Sequence, residues 1–315
     1  MRCVFFGSPE FALGSLDALL ASRHEVVGVI TQPDRPAGRG LKLEPPPVKV
    51  RALARGLPVH QPERVNGEDT LRFLNSLRPD ILAVVAYGGF LGDKLLRLCR
   101  FPPVNVHPSL LPDLRGAAPV QWALLRGYRR TGVTTQFMVK AMDAGDLLLQ
   151  EEFTIDEAET SQSLLRRFSL EGGRLLVETL DRLETGSIEP RPQNHSQATF
   201  APLLTKEQGL IRFSESDAWN VHNQVRGLFP WPGAYAFVNK KRVKILRTAM
   251  ARSEPLLGAP GAWWMDGDRM LVACADGVLE VLELQPEGKR PMLPKEFESG
   301  MKGADAPRRF DASGE

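Results

Sequence analysis

An asparagine and a histidine stand two residues apart in "NVHPSLLPDLRG", residues 105–116, at the end of an apolar stretch and just ahead of a proline-rich turn. Side chains two apart on a strand point the same way. Asn105 and His107 would therefore project together beyond a strand end. An amide donor beside an imidazole suits a reaction that builds negative charge on an oxygen and moves a proton. Such a pair calls for a carboxylate to set the tautomer of the ring and stabilise its charged form. Asp143 in the turn "MDAGD" is a candidate and Asp146 competes with it; spacing does not choose between them. His24, His60, His195 and His222 fall in surface or linker contexts and read as structural, and no metal site is read from the sequence.

The elements that must position this pair alternate. "CVFFG" is a short apolar run without alternation, as expected for a strand buried on both faces of a parallel sheet. "GSPEFALGSLDALLAS" follows, with Ser8 placed to cap a helix, Pro9 in its first turn and Glu10 complementing its dipole. "HEVVGVIT" reads as a second strand, "GEDTLRFLNSLRP" as a helix, "DILAVVAYG" as a buried strand, "LGDKLLRLC" as a helix and "PPVNVHPS" as a strand. This order predicts a Rossmann-like, doubly wound and mainly parallel sheet, with ligands outside the carboxyl ends of its strands. The first turn, Gly7-Ser8-Pro9-Glu10, lacks the G-x-G-x-x-G pattern by which a backbone approaches a pyrophosphate, which argues against NAD. No G-x-x-x-x-G-K-[ST] or G-x-S-x-G run occurs, so a P-loop ATPase is excluded and a hydrolase disfavoured.

Past the pair, "PVQWALLRG" predicts a helix, "GVTTQFMVKAMDAGDLLLQEEFTI" two strands about a turn, and "SQSLLRRFSLEGGRLLVETLDRLETG" a long helix stopped at Gly186. The expected organisation is a domain over 1–190, a polar linker over 191–208 and a small OB-like β-barrel over 209–315, opened by a helix in "AWNVHNQVRGLFPWPG". The tail "KGADAPRRFDASGE" reads as poorly ordered. The 315 residues are 43% hydrophobic and 25% charged with a formal net charge of +2, values of a globular chain that name no partner. The three cysteines are far apart and form no disulfide-like pair, as in a reducing cytosol. The first residues read directly as a strand, without a secretory pattern, and the longest apolar runs are too short to span a bilayer, so a cytoplasmic location is expected.

The run "NVHPSLLPDLRGAAPVQWALLRG" followed by "MDAGDLLLQ" resembles the folate-dependent formyltransferases. The likeness extends through "FFGSPEFA", "TQPDRPAGRGLKL", "VVAYGGFL", "FPWPGAY" and "LELQPEGKRPM", and within the family it is to members that formylate methionyl-tRNA. It implies that Asn105, His107 and Asp143 are catalytic. It implies a donor, 10-formyltetrahydrofolate, held by Ala86, Tyr87 and Gly88 and by Ser109, Leu110, Leu111 and Pro112, the latter four largely through backbone groups. It implies that the acceptor is the α-amino group of methionine on initiator tRNA, gripped at the acceptor stem. No metal is implied, and a monomer suffices. In the implied acyl transfer, Asn105 and protonated His107 stabilise the oxyanion while Asp143 holds His107 charged and helps relay a proton to the departing folate nitrogen.

Glycinamide ribonucleotide and amino-sugar formyltransferases share those three residues, so a small amino-sugar acceptor stays open as the alternative. A non-catalytic RNA-binding module is a third reading, disfavoured by the intact trio. Two basic features favour RNA. The glycine- and proline-rich loop 31–49 carries Arg35, Arg39, Lys42 and Lys49, and resembles the family's acceptor-stem loop, with Arg39 reaching into the stem. In "NKKRVKILR", alternation puts basic groups on one strand face; Lys240, Lys241, Arg242 and Lys244, joined by Arg226, are expected to meet the phosphate backbone. Three residues depart from the family pattern: Gly92 stands where relatives have proline, Ser8 where threonine is common, and Asp113 where a basic or neutral residue is usual.

Overall fold

The computed structural model describes residues 1–37, 42–301 and 308–313. The chain forms two compact units. The first comprises Met1–Gly116, Arg130–Phe153 and Leu165–Ala201; the second comprises Ala117–Arg129, Thr154–Leu164 and Pro202–Glu315. The segment expected to be a linker, 191–208, thus divides between the units at Ala201.

Among the described residues, eight strands and four helices lie wholly in the first unit: β1 (Arg2–Gly7), α1 (Leu13–Leu20), β2 (Glu25–Ile30), β3 (Arg35–Ala37), β4 (Lys42–Glu44), α2 (Pro47–Ala54), β5 (Val59–His60), α3 (Glu68–Leu77), β6 (Ile81–Val85), α4 (Asp93–Leu96), β7 (Val104–His107) and β8 (Arg130–Phe137); a ninth strand, β9 (Leu147–Thr154), lies in it except for its last residue. Seven strands form one sheet in the order β5-β2-β1-β6-β7-β8-β9. The ladders from β5 to β7 are parallel and β7 pairs with β8 antiparallel. Cys3, Val4, Phe5 and Phe6 of β1 are all 0% exposed, so the sheet is covered on both faces, as the unalternating apolar runs require. β3 and β4 form a separate two-stranded ladder. These two strands, α2 and β5 carry no period strong enough to be read from the sequence.

Ser8 does not cap a helix. A 3₁₀ turn, Glu10–Ala12, precedes α1 with no side-chain cap. The Ser8 hydroxyl instead accepts from Gln32 N (3.1 Å) and from Thr31 Oγ1 (3.3 Å) and donates to the Tyr87 carbonyl (3.3 Å). It ties together the carboxyl ends of β1, β2 and β6, where the strand order reverses.

The second unit contains α5 (Pro119–Leu125), α7 (Ala218–Gly227), β10 (Ala234–Val238), β11 (Lys241–Met250), β12 (Trp263–Asp266), β13 (Arg269–Ala273), β14 (Val278–Pro286) and α8 (Pro294–Gly300); α6 (Ser161–Thr185) crosses the unit boundary. Its antiparallel sheet runs β10-β11-β14-β13-β12. The tail is not poorly ordered where it is described. Phe237 of β10 exchanges both backbone bonds with Asp311, and Trp263 of β12 donates to the Arg308 carbonyl, so residues 308–311 bridge the two edge strands and close the barrel. Phe310 is 2% exposed and stacks on Phe213, which supplies the apolar reason for the docking.

His24 and His222 are buried rather than at the surface. Burial lowers the affinity of both rings for a proton. Among the described residues, His24, Asp181 and Glu184 bring ligand atoms close enough to hold a cation, but Arg23 already pairs with both carboxylates. The cysteines are free thiols, pushed up to about 12 by burial and therefore protonated. No described helix is long and apolar enough to cross a membrane.

Candidate active site

β7 has Val104 and Val106 packed at 0% and 2% exposure, which turns Asn105 and His107 together to its other face. In the ladder with β8, Asn105 stands opposite Gln136 and His107 opposite Thr134. The His107 ring is nearly buried. Its Nε2 lies 3.0 Å from the Leu114 carbonyl, and its Nδ1 lies 3.7 Å from Asp143 Oδ1. A carbonyl only accepts, so Nε2 carries a proton, and a second acceptor faces Nδ1. Asp143 Oδ2 accepts from Gly116 N (2.8 Å) and Oδ1 from Gln136 Nε2 (3.3 Å). Asp146, by contrast, is exposed, and its backbone carbonyl accepts from Phe137 N (2.9 Å), while its carboxylate meets no partner among the described residues. The Asn105 amide has no hydrogen-bonding partner among the described residues, which leaves it available to a ligand.

Two backbones beside the ring are left-handed without being glycine: Leu114 at φ 59° and Asp143 at φ 49°. Each conformation costs about 1 kcal/mol or more and must be held by its surroundings. Part of that hold is the neighbouring glycine of "MDAGD": a Cβ at Gly145 would collide with the Phe137 carbonyl. Part comes from residues that motif reading missed. Gln193, 5% exposed, donates to the carbonyls of Asp143 (2.9 Å) and Gly145 (2.7 Å) and to Gln136 Oε1 (3.1 Å), and accepts from the Arg115 guanidinium at 2.6 Å. The signal available in the sequence was "TTQ", three consecutive polar residues in a strand, β8, that also carries Thr131, all four of them buried.

The loop after His107 is shaped from beneath. Thr134 Oγ1 donates to the Ser109 carbonyl (2.6 Å) and accepts from Leu111 N (3.2 Å), and Gln150 donates to the Leu111 carbonyl (2.8 Å). The Ser109 hydroxyl donates to the Asp113 carbonyl (2.6 Å). The expectation that Ser109, Leu110, Leu111 and Pro112 offer mainly backbone groups to a ligand is therefore narrowed. The carbonyls of all four are taken up within the protein, that of Leu110 by Asp113 N (3.0 Å) and that of Pro112 by Thr199 N (3.3 Å), so among the described residues the Leu110 N–H is the backbone group of this run left without a partner. Tyr87 turns its ring inward, edge-on to Phe6, and burial pushes its phenol up to about 12. Ala86 and Gly88 are exposed on left-handed backbone at φ 47° and 79°, and Gly88 opens onto free space.

The basic residues separate by environment. Arg35 and Lys42 are exposed on β3 and β4, Arg39 lies outside the described residues, and Lys49 is paired with Asp34 at 2.7 Å. In the second unit, Lys240 and Lys241 are exposed and Lys244 is half-buried, while Arg242 lies over the Tyr235 ring at 3.5 Å. Arg226 does not belong to that surface. It is 4% exposed and donates to the Asp156 carbonyl and to Asn223 Oδ1, both at 2.9 Å. Burial drew it inward because its planar head finds fixed acceptors there.

Residues 1–180 match the family model described as formyl transferase, and residues 203–302 match that of the formyl transferase C-terminal domain. A methionyl-tRNA formyltransferase of Thermodesulfovibrio yellowstonii is 42% identical over 299 residues, covering 95% of this chain and 96% of that one. One from Pelobacter propionicus is 46% identical over 298 residues, covering 94% and 92%. Among solved structures, an N-formyltransferase of Helicobacter canadensis in complex with folinic acid and dTDP-3-aminofucose superposes with a TM-score of 0.67 at 18% identity, covering 90% of this chain and 98% of that one. At that identity the superposition speaks to the fold alone.

Proposed function

The chain belongs to the formyl transferase family, and we propose that it transfers the formyl group of 10-formyltetrahydrofolate to the α-amino group of methionyl initiator tRNA. The observation that carries the reading is the meeting of His107 and Asp143 beside an unpartnered Asn105 amide at the carboxyl end of β7. It stands in a chain that shares 42–46% identity over nearly its whole length with methionyl-tRNA formyltransferases. The accessible backbone at Ala86 and Gly88 and the firmly shaped loop 109–112 suit a flat ligand with hydrogen-bonding edges.

The bound folate supplies the activated formyl group. Asn105 donates to the formyl oxygen as negative charge gathers there, and it does so without first breaking a bond inside the protein. His107 has its Nε2 proton engaged by Leu114, so the mobile proton is the one on Nδ1, exchanged toward Asp143. The amine attacks the formyl carbon and gives up a proton, the bond from that carbon to the folate nitrogen breaks and that nitrogen takes up a proton; oxyanion contact falls chiefly to Asn105, and both proton transfers run through the His107–Asp143 pair. All three groups come from one chain, so a monomer is sufficient, and the reaction belongs in the cytoplasm where tRNA is charged. The barrel, through Lys240, Lys241 and Lys244, and the β3–β4 ladder, through Arg35 and Lys42, attract the RNA backbone.

The test is transfer of labelled formyl from 10-formyltetrahydrofolate to purified methionyl initiator tRNA, with a nucleotide-linked amino sugar as a parallel acceptor. Formylation of the tRNA alone is expected. Transfer to the sugar alone would replace the acceptor, and transfer to neither would remove the function.

A further inference from the structure

Both nitrogens of His107 face groups on left-handed backbone, and both of those backbones are held by one stretch of chain, residues 193–199. At Nε2 the partner is the Leu114 carbonyl. Leu114 N donates to Thr199 Oγ1 at 2.9 Å, and the same hydroxyl donates to Asp113 Oδ1 at 3.1 Å. Thr199 also brackets the loop through its backbone, its N reaching the Pro112 carbonyl (3.3 Å) and its carbonyl accepting from Arg115 N (2.9 Å). At Nδ1 the partner is Asp143, whose own carbonyl is gripped by Gln193. Arg115 connects the two ends, bonding Gln193 Oε1 and His195 Nδ1.

We propose that Thr199 and Gln193 are positioning residues for the catalytic histidine: Thr199, with Asp113 orienting its hydroxyl, aims the Leu114 carbonyl at Nε2, and Gln193 aims Asp143 at Nδ1. A hydroxyl between Asp113 and Leu114 N must donate to the one and accept from the other, which fixes its rotor and the peptide it holds. Asp113 thereby gains a role that its departure from the family pattern did not suggest. A left-handed leucine released from this hold would relax, swing its carbonyl away and free the ring to turn. Small misplacements of this kind cost rate more than binding.

The inference rests on the catalytic reading of His107, and the test separates the two. Thr199→Val keeps the shape and removes both side-chain bonds; Thr199→Ser keeps the hydroxyl; Gln193→Glu keeps the acceptor toward Arg115 and removes the donors to Asp143. Thr199→Val and Gln193→Glu are expected to lower kcat about ten-fold or more with KM for both substrates within about two-fold, and Thr199→Ser to recover most of the loss. Independently of turnover, the ¹⁵N imidazole resonances of His107, assigned by their disappearance in His107→Gln, should shift in both damaging variants. Unchanged kcat in Thr199→Val, an unmoved His107 resonance, or serine no better than valine would each overturn the proposal. Full turnover in His107→Ala would instead overturn the catalytic reading, while the resonance shift would still report the hold on the ring.

Discussion

The end of β7 and the basic hairpin of β10 and β11 place polar groups by opposite rules. Around His107 the polar atoms are buried and nearly every one meets a fixed partner, because charge developing in a water-poor site needs donors already in place. On the hairpin Lys240 and Lys241 stand at the surface on long side chains, an arrangement suited to the role proposed for them, since a phosphate backbone is met by charge rather than by exact geometry. Arg226 shows the divide. It shares its charge with Lys241, yet its fixed bonds to Asp156 and Asn223 make it a structural residue. Residue type alone therefore predicts chemistry well where geometry is demanding and poorly where charge is all that matters.

The comparison breaks most readily at the site. His107→Ala and Asp143→Ala should each lower turnover about 10²–10⁴-fold and Asn105→Ala about 10²–10³-fold. Their unfolding midpoints should stay near wild type; loss of turnover matched by loss of folding would make these residues structural. Next in size, Phe310→Ala should destabilise the barrel by about 3–5 kcal/mol in urea unfolding, since the buried ring anchors the segment that closes the sheet. A surface-like value would mean that residues 308–311 are not docked.

Arg226→Met should cost about 1–3 kcal/mol of stability by orphaning buried acceptors, while leaving the salt dependence of tRNA binding unchanged. Lys241→Ala with Lys244→Ala should do the reverse, reducing the slope of log K against log salt by roughly 0.7–0.9 per lysine. An arginine and a lysine pair that behaved alike would erase the distinction. The smallest effect concerns pH. His222 donates Nε2–H to the Glu157 carbonyl and accepts the Thr248 hydroxyl at Nδ1, as a neutral ring does, and burial holds its pKa below the usual 6.5. Below pH 6.5 the unfolded chain takes up the proton first, so stability falls with acidification until the folded ring is protonated as well. Urea midpoints at pH 7.5 and 5.5 should therefore differ less in His222→Gln than in wild type.

The parallel strands were legible because burial on both faces leaves unbroken apolar runs such as "ILAVV", and the pairing of Asn105 with His107 followed from the two-residue period of a strand. Ser8 was misread as a cap because a serine before a proline and a glutamate has the local pattern of a helix start; the partners it bonds, Thr31, Gln32 and Tyr87, lie in other strands' loops. Within the tail, residues 308–313 were misread for a related reason. Its small and charged residues hide a single phenylalanine whose burial depends on a barrel built from distant segments.

Sequence by itself determined which side chains could perform the chemistry and that two of them leave one strand on one face, since period and composition are local properties of the chain. Tertiary structure decided that Asp143 and not Asp146 faces the ring, that Arg226 is interior, and that Asp113 meets Thr199 across 86 residues of chain. No local pattern encodes a hydrogen bond over that separation, because the bond exists only once the sheet has brought its two ends together.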